Sequence, residues 1–519
     1  MNLKIEGLKR NIINLKWFFI IYGLFLLSFI FYETKETNFN IKATLLVFLV
    51  LLIIGSFILL FITNKNLPLH KIALIIILVF GVMCVFLSPI ISISDEQEHF
   101  ARSEIVSHGD LNTKIYNKSL DSYNHFLTIQ SVGELKVSKM GNKTVFKTKW
   151  DDQKINYTKK YVSSAFAQNP FYGYIPQAIG INIAKGLNLN NIWMLWLGRL
   201  CNLIFYAIIC SYAIKKAPIY KIPLLLTACL PLSIYQAGST SIDGMIFALA
   251  LLSITYFLYL YKKEDHTVDW KNIGILTLIT ALCGLCKLTY AALILLIFLI
   301  PKNKFKTPKI KHLSRLCFII VSAITLIWSR YATKMLYYSW RYGYFLRKNV
   351  NSKLQILYIV NHPINFLKIL FNPMNFIKAF KSLFSFGHGT YTTIKSYFLV
   401  IALFILLLLF IFTYSPKQGL NKKDKIKLLI ITLLIALGTY IVQYISWTTV
   451  GLPKIQGVQG RYFIPVIALL LIIFSFNSNN KLLKSNKFDF IKNNYNILAV
   501  TFIISFLSSL ILLLFMKYY

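Results

Sequence analysis

The residues best able to do chemistry lie together in Ile91-Ser92-Ile93-Ser94-Asp95-Glu96-Gln97-Glu98-His99-Phe100-Ala101-Arg102, where a long apolar span stops. The 519-residue chain has only 18 acidic residues against 56 Lys and Arg, and this run holds three of the 18. Read as a helix, Asp95, Glu98, His99 and Arg102 (positions i, i+3, i+4 and i+7) share one face, with Glu96 to the side. Acids at the mouth of a membrane span point to a site. An imidazole and a guanidinium among them exceed what helix capping needs. The alternative is an acidic helix start that complements the dipole, with Ser94 as N-cap. Asp95 and His99 could begin a divalent metal site, but the ligand set is incomplete, so no cofactor is assigned.

Further polar residues interrupt apolar surroundings. Asp243 starts a span after Gln236-Ala237-Gly238-Ser239-Thr240-Ser241-Ile242. A carboxylate deep in a bilayer costs about 2.5–3.5 kcal/mol on insertion scales, so Asp243 reads either as a site or, with Ser241, as a cap for the next helix. Arg199 lies about eight residues into its span. Lys287 sits at a turn between two short spans, and Arg461 opens another span after Gln459-Gly460. Cations converging on one cavity would suit a phosphate, with Arg giving bidentate contacts. Snorkelling is the alternative for Lys287 and Arg461.

The elements that must position these residues are transmembrane helices. The chain is 56% hydrophobic and 15% aromatic, with long uncharged runs, which makes it a polytopic all-α membrane protein rather than three soluble domains. The net charge of +38 lies largely in short loops between spans, so it argues for topology and anionic headgroups, not nucleic acid. All seven Cys fall in apolar spans, which speaks against a disulfide framework. The Lys, Ile and Asn bias suggests an AT-rich bacterial genome.

Basic residues before the first span place the N-terminus in the cytoplasm. About thirteen transmembrane helices are expected. The chain divides into N-terminal helices (1–94), a first large extracytoplasmic loop with the acidic motif and an interfacial helix (95–190), a helical block (191–334), a second extracytoplasmic segment with amphipathic helices (335–395) and C-terminal helices (396–519). The first loop carries nine of the 18 acids, and its stretch Gly133 to Lys160 could hold a hairpin. In the second, Pro363 and Pro373 break a helical pattern of Phe and Leu with interleaved Lys, as expected of membrane-surface helices. Inner loops are Lys-rich and the outer turns around Gln236–Asp243 and Lys287–Tyr290 nearly bare of charge, which agrees with an Asp95 cluster on the outer face. Several expected spans are shorter than the roughly 20 residues a crossing needs and could enclose a recessed cavity there.

The chain resembles a large bacterial family of predicted polytopic membrane proteins of unknown function that share traits with GT-C glycosyltransferases. The resemblance rests on Asp95 to Arg102 after an apolar span, Asn169 to Gln177, Leu197 to Asn202, Gln236 to Asp243, Lys287-Leu288-Thr289-Tyr290, and Gln459-Gly460-Arg461-Tyr462-Phe463-Ile464-Pro465. It implies a GT-C-like architecture in which an acidic motif of the first outer loop supplies the catalytic base and the donor is a polyprenyl-phosphate-linked sugar. On that pattern Asp95 is the base and Glu96 the second acid. Glu98, His99, Arg102, Arg199, Gln236, Asp243, Lys287, Tyr290, Gln459, Arg461 and Tyr462 are the candidate substrate-binding residues. One departure is that two spans precede the one leading into the acidic loop, where the usual plan has one in all; two extra spans preserve sidedness. The expected function is a glycosyltransferase of the bacterial cytoplasmic membrane, active on its outer face, inverting, with an envelope glycan as acceptor and the lipid bilayer as surroundings. The rivals are a transporter or flippase for lipid-linked saccharides, or a polymerase component. The lack of an internal repeat counts against a transporter.

Overall fold

The chain was analysed as a computed structural model that describes residues 2–34, 39–116, 124–137, 153–387, 394–416, 418–475 and 494–519. Most of the expected hairpin between Gly133 and Lys160 lies outside the described residues. Most of what is described is helix.

The first three helices are α1 (Asn2–Glu33), α2 (Ile41–Asn64) and α3 (Leu69–Leu87). Asn40 caps α2 by accepting from Ala43 N at 3.2 Å, a pairing that satisfies one orphan amide of the first turn. A left-handed Asn66 (φ 44°) and Pro68 separate α2 from α3. On α2 the exposed residues Leu45, Leu49, Ile53, Phe57 and Phe61 recur every four positions, while Phe48, Leu51, Ile58 and Ile62 are buried. An apolar stripe of that length would be untenable in water and is the natural outer face of a helix in lipid.

Helices α4 (Glu96–Ser107), α5 (Gln130–Val137) and α6 (Ile175–Gly186) follow, with strands β1 (Phe126–Ile129) and β2 (Lys159–Val162) between them. The strands pair antiparallel, Phe126 opposite Val162. Helix α6 lies against α7 (Asn191–Lys216). The approach is close because Gly180 has no side chain: a Cβ there would stand 2.1 Å from Leu197 O and 2.6 Å from Gly198 N. This contact fixes α7 one residue before Arg199.

Next come α8 (Lys221–Ala228), α9 (Pro231–Ala237), α10 (Asp243–Lys262) and α11 (Trp270–Cys286), then a 3₁₀ stretch over Leu288–Leu299. Helices α12 (Pro308–Ser314) and α13 (Cys317–Leu336) lead to α14 (Trp340–Arg347), α15 (Ser352–Asn361), α16 (Pro363–Leu370) and α17 (Pro373–Lys381). Pro363 and Pro373 each open a new helix, where their missing amides cost nothing. The chain bends by 107° between α15 and the segment that follows. A two-residue ladder, β3 (Ser385–Phe386) with β4 (Ile394–Lys395), precedes α18 (Tyr397–Thr413), α19 (Lys422–Trp447), a 3₁₀ turn at Gly460–Phe463, α20 (Ile464–Ile473) and α21 (Tyr495–Tyr518).

Among the described residues eight helices are long and apolar enough to cross a membrane, or nine if the bent α15–α17 segment is one span. They are α1, α2, α3, α7, α10, α12 with α13, α19 and α21. This is fewer than the expected thirteen. The five remaining expected spans fall on short helices: α8 with α9, α11, the Leu288–Leu299 stretch, α18, and Gly460–Phe463 with α20. An apolar run marks burial in lipid or in protein alike, and each of these runs is shorter than the roughly 20 residues a crossing needs. The C-terminal ends of α11 and α19 meet the starts of α4 and α10 and the Gly460–Phe463 turn at one end of the bundle.

Candidate functional site

At that end a cavity of about 260 Å³ opens among α4, α10, α19 and the Gly460–Phe463 turn. Asp95, Asp243, Lys287, Gln459, Arg461 and Tyr462 all face it, as does His99. Seven residues singled out in sequence, from four separate stretches, thus share one wall.

Arg461 is the centre of the site. Its Nη2 donates to Asp95 Oδ2 at 2.5 Å, and its Nη1 donates to Ser94 O at 3.2 Å. The same Nη1 lies 3.0 Å from Asp243 Oδ2, an ion-pair distance without the direction of a hydrogen bond. One guanidinium therefore balances two carboxylates. Asp95 is 23% exposed against 5% for Arg461, so Asp95 is the member open to an incoming molecule.

The backbone at Asp95 is left-handed (φ 61°), and so is that at Ile91 (φ 54°). Such angles are unusual for a side chain with a Cβ, above all a β-branched one, and persist only where surroundings enforce them. The enforcement is visible. Ser94 Oγ donates to Gly387 O at 2.6 Å, and the Glu96 carboxylate is clamped from below. Asp95, not Ser94, occupies the N-cap position of α4, and its side chain makes no capping bond. Ser94 as the cap is thereby set aside, while Glu96 and Glu98 do lie in the first turn of α4, where acids complement the helix dipole. At α10 Ser241 Oγ accepts from Asp243 N at 3.2 Å, which leaves the Asp243 carboxylate for Arg461.

Two cations at the cavity differ from Arg461. Lys287 Nζ lies 3.1 Å from the centroid of the Tyr462 ring, and Arg341 lies over Phe166 at 4.5 Å and Trp447 at 5.1 Å. Neither is ion-paired with a carboxylate among the described residues. Aromatic faces hold both by cation–π attraction. Burial pulls the Lys287 ammonium down to about 7, with Asp243 acting in the other direction. Cations so placed can exchange an aromatic face for an anion.

His99 stacks on Phe166 with parallel rings 4.2 Å apart, and its Nδ1 bonds the Tyr174 hydroxyl at 2.7 Å. Burial brings its pKa down to about 4, partly offset by Asp243 and Asp95, so the imidazole is neutral at physiological pH. Among the described residues no group of three His, Cys, Asp or Glu is placed to hold a metal ion.

Other expected site residues lie elsewhere. Arg199 and Glu96, expected as phosphate ligand and second acid, form a fully buried pair below the cavity. Arg199 Nε donates to Glu96 Oε1 at 2.7 Å and Nη2 to Oε2 at 2.6 Å. Its remaining contacts go to Val85 O, Ser88 O and Pro89 O. No donor is left for a ligand. Glu96 Oε1 also accepts from Thr240 N at 3.2 Å, so the pair ties α7 to the turns before α4 and α10. Glu98 accepts from Ala165 N at 2.7 Å, and Arg102 donates to Asp110 O, Leu111 O and Asn169 O. Both position the Ala165–Asn169 loop rather than face the cavity. Tyr290 donates to Tyr462 O at 2.6 Å from a buried position, and Gln236 is buried away from the cavity.

Conversely, Phe166, Arg341, Gln443 and Trp447 line the cavity without having been singled out. Gln443 carried a signal, an amide in the last turns of an apolar helix. Arg341 carries no such signal, because it lies in a polar stretch with other basic residues.

A family model described as "Predicted membrane protein (DUF2142)" matches residues 78–470. The chain belongs to the DUF2142 family. The matched region begins within α3 and ends within α20, so it contains every residue of the cavity and of the clamp beneath it. The eight candidate spans agree with a DUF2142 protein being a multi-pass membrane protein. No curated protein and no solved structure matches the chain.

Proposed function

We propose that this chain is a GT-C-type membrane glycosyltransferase that transfers a sugar from a polyprenyl-phosphate carrier to a hydroxyl of a bacterial envelope acceptor. The observation that carries the reading is one cavity in which the Asp95 carboxylate faces two cations without acidic partners, beside aromatic rings and amides. Lys287 and Arg341 suit a phosphate. Trp447 and Phe166 offer apolar faces, and Asn169, Gln443 and Gln459 offer amides, the combination that recognises sugar rings and hydroxyls.

An adjoining groove suits the carrier's tail. It holds about 280 Å³ and is walled by apolar residues of α17, α19 and α20, including Phe380, Ala436, Tyr440, Ile467 and Leu470. Phe463, next to Tyr462, lines the groove, and Tyr440 lies one turn from Gln443 on α19. An amphiphile with an anionic head could fill both at once.

In the reaction, the acceptor oxygen attacks the anomeric carbon while Asp95 takes its proton, and the bond from that carbon to the phosphate oxygen breaks. The departing lipid phosphate gains negative charge, which Lys287 and Arg341 offset. Attack opposite the leaving group inverts the anomeric centre. Arg461 holds Asp95 in the empty site, and Asp243 keeps Arg461 when an entering anion competes for it. Short loops at the other end of the bundle carry Lys65, Lys215, Lys216, Lys221, Lys262, Lys263 and Lys302, which by the positive-inside rule supports an outer-face cavity.

The test is transfer in nanodiscs from a panel of radiolabelled polyprenyl-phosphate sugars to an envelope acceptor, with Asp95→Asn alongside. The expected result is transfer by the unaltered protein and a loss of at least about 100-fold in the variant. Equal transfer by both would remove Asp95 as base. Donor crossing the bilayer without any transfer would make the chain a transporter.

A further inference from the structure

A larger cavity, about 520 Å³, lies at the opposite end of the bundle, where the end of α2 meets the starts of α3, α8 and α21. Its lining has two halves. Leu59, Ile62, Ile72, Ile497 and Val500 make an apolar wall. Asn66, Lys221, Asn494 and Asn496 make a polar rim.

Among the described residues the charge on the rim has no counterion. No carboxylate lines the cavity among the described residues, and Lys221 forms no ion pair with any of them. Lys71, Lys215 and Lys221 all lie near enough to His70 to act on it electrostatically, so four basic side chains crowd this corner. Like charges gathered this way repel one another and attract an anion. The backbone holds the rim in place. Asn66 is left-handed (φ 44°), a conformation that Asn tolerates. Tyr220, just before Lys221, is buried and accepts from Leu420 N at 2.8 Å.

A free anion would use the rim and leave the apolar wall wet. A neutral lipid would use the wall and leave the lysines uncompensated. We infer that this cavity binds one anionic glycerophospholipid, its phosphate at Lys221 and the asparagine rim and an acyl chain along the α2, α3 and α21 wall. The site faces the leaflet that meets the lysine-rich loops, the side on which juxtamembrane lysines attract anionic headgroups. It is separate from the Asp95 cavity and does not depend on the reaction proposed there.

The test is native mass spectrometry of the delipidated full chain in detergent, titrated with phosphatidylglycerol, phosphatidylcholine or inorganic phosphate. Phosphatidylglycerol is expected to be retained in preference to phosphatidylcholine, with no adduct from phosphate alone. Lys221→Gln should reduce that preference about fivefold, the factor one lysine contributes to anionic-lipid attraction. A photoactivatable phosphatidylglycerol on the unaltered chain should mark residues 59–72 or 494–500. Equal retention of both lipids, adduct formation by phosphate alone, or labelling confined to other helices would overturn the inference.

Discussion

Arg461 between Asp95 and Asp243 sets the resting chemistry of the cavity, and Lys287 sets its dependence on pH. Buried against Tyr462, the Lys287 ammonium titrates near 7, well below the ordinary lysine value. It is charged below that pH and neutral above it. Affinity for a polyprenyl-phosphate sugar, whose phosphodiester does not titrate in this range, should therefore fall as pH rises from 6 to 9. Lys287→Arg keeps the charge throughout and should flatten the profile. A binding titration across pH checks both, and an unaltered slope in the variant would remove Lys287 as the group responsible. The clamp beneath behaves differently. Glu96→Gln strands the Arg199 charge where nothing else can neutralise it, and losing one partner of a buried pair costs about 3–5 kcal/mol. The expected outcome is a large drop in the temperature at which the protein survives heating in detergent. Glu96→Met with Arg199→Met, which removes both charges, should recover part of it.

At the scale of elements, the helix that follows Asp95 was legible from spacing, but Asp95 itself, expected on its face with Glu98, His99 and Arg102, is the left-handed residue before its first turn. Glu98, His99 and Arg102 do share a face of α4, which meets the Ala165–Tyr174 stretch. Their types were misleading, because three polar residues in a row of turns also serve to hold a loop. Arg199 shows the same limit: its depth in α7 announced that it needed a partner, but not whether that partner was a ligand or Glu96. Short apolar stretches were the weakest part of the reading. The 12 residues of Leu288–Leu299 and the paired short helices α8 and α9 read as spans because burial in protein and burial in lipid favour the same side chains. Contact between α6 and α7 could not be foreseen, since Gly180 looks like any helical glycine until the Leu197 carbonyl is placed against it. Gly180→Ala should push α6 outward and displace the Arg102-held loop. It is expected to lower both thermal survival and donor binding, whereas Gly186→Ala, which meets nothing within 4 Å, should leave both near their starting values.

For the whole molecule, apolarity and charge are segregated by place. The lipid-facing helices present Leu, Ile and Phe, and the short turns at the cavity end near Gln236–Asp243 and Lys287–Tyr290 carry little charge, whereas the short loops at the opposite end carry lysines; the long segments on the cavity side, such as α15 to α17, carry lysines too. The contrast between the short loops was visible in the sequence. A membrane-impermeant maleimide applied to intact cells tests the sidedness. Lys353→Cys, on the cavity end, should be labelled at once, and Lys302→Cys only after permeabilisation. The unaltered chain, whose seven cysteines lie in apolar stretches, provides the background. The opposite pattern would move the cavity to the inner face. The buried Glu96–Arg199 pair also bears on how the protein is made. Arg199 is the ninth residue of the 26 in α7, and an arginine entering a bilayer alone is disfavoured by about 2.5–3.5 kcal/mol. Its partner lies 103 residues upstream, so the ribosome finishes the acid long before the base. Integration of α7 is then coupled to a segment already synthesised, and a chain that begins after Glu96 would leave the translocon holding a helix with an unanswered charge.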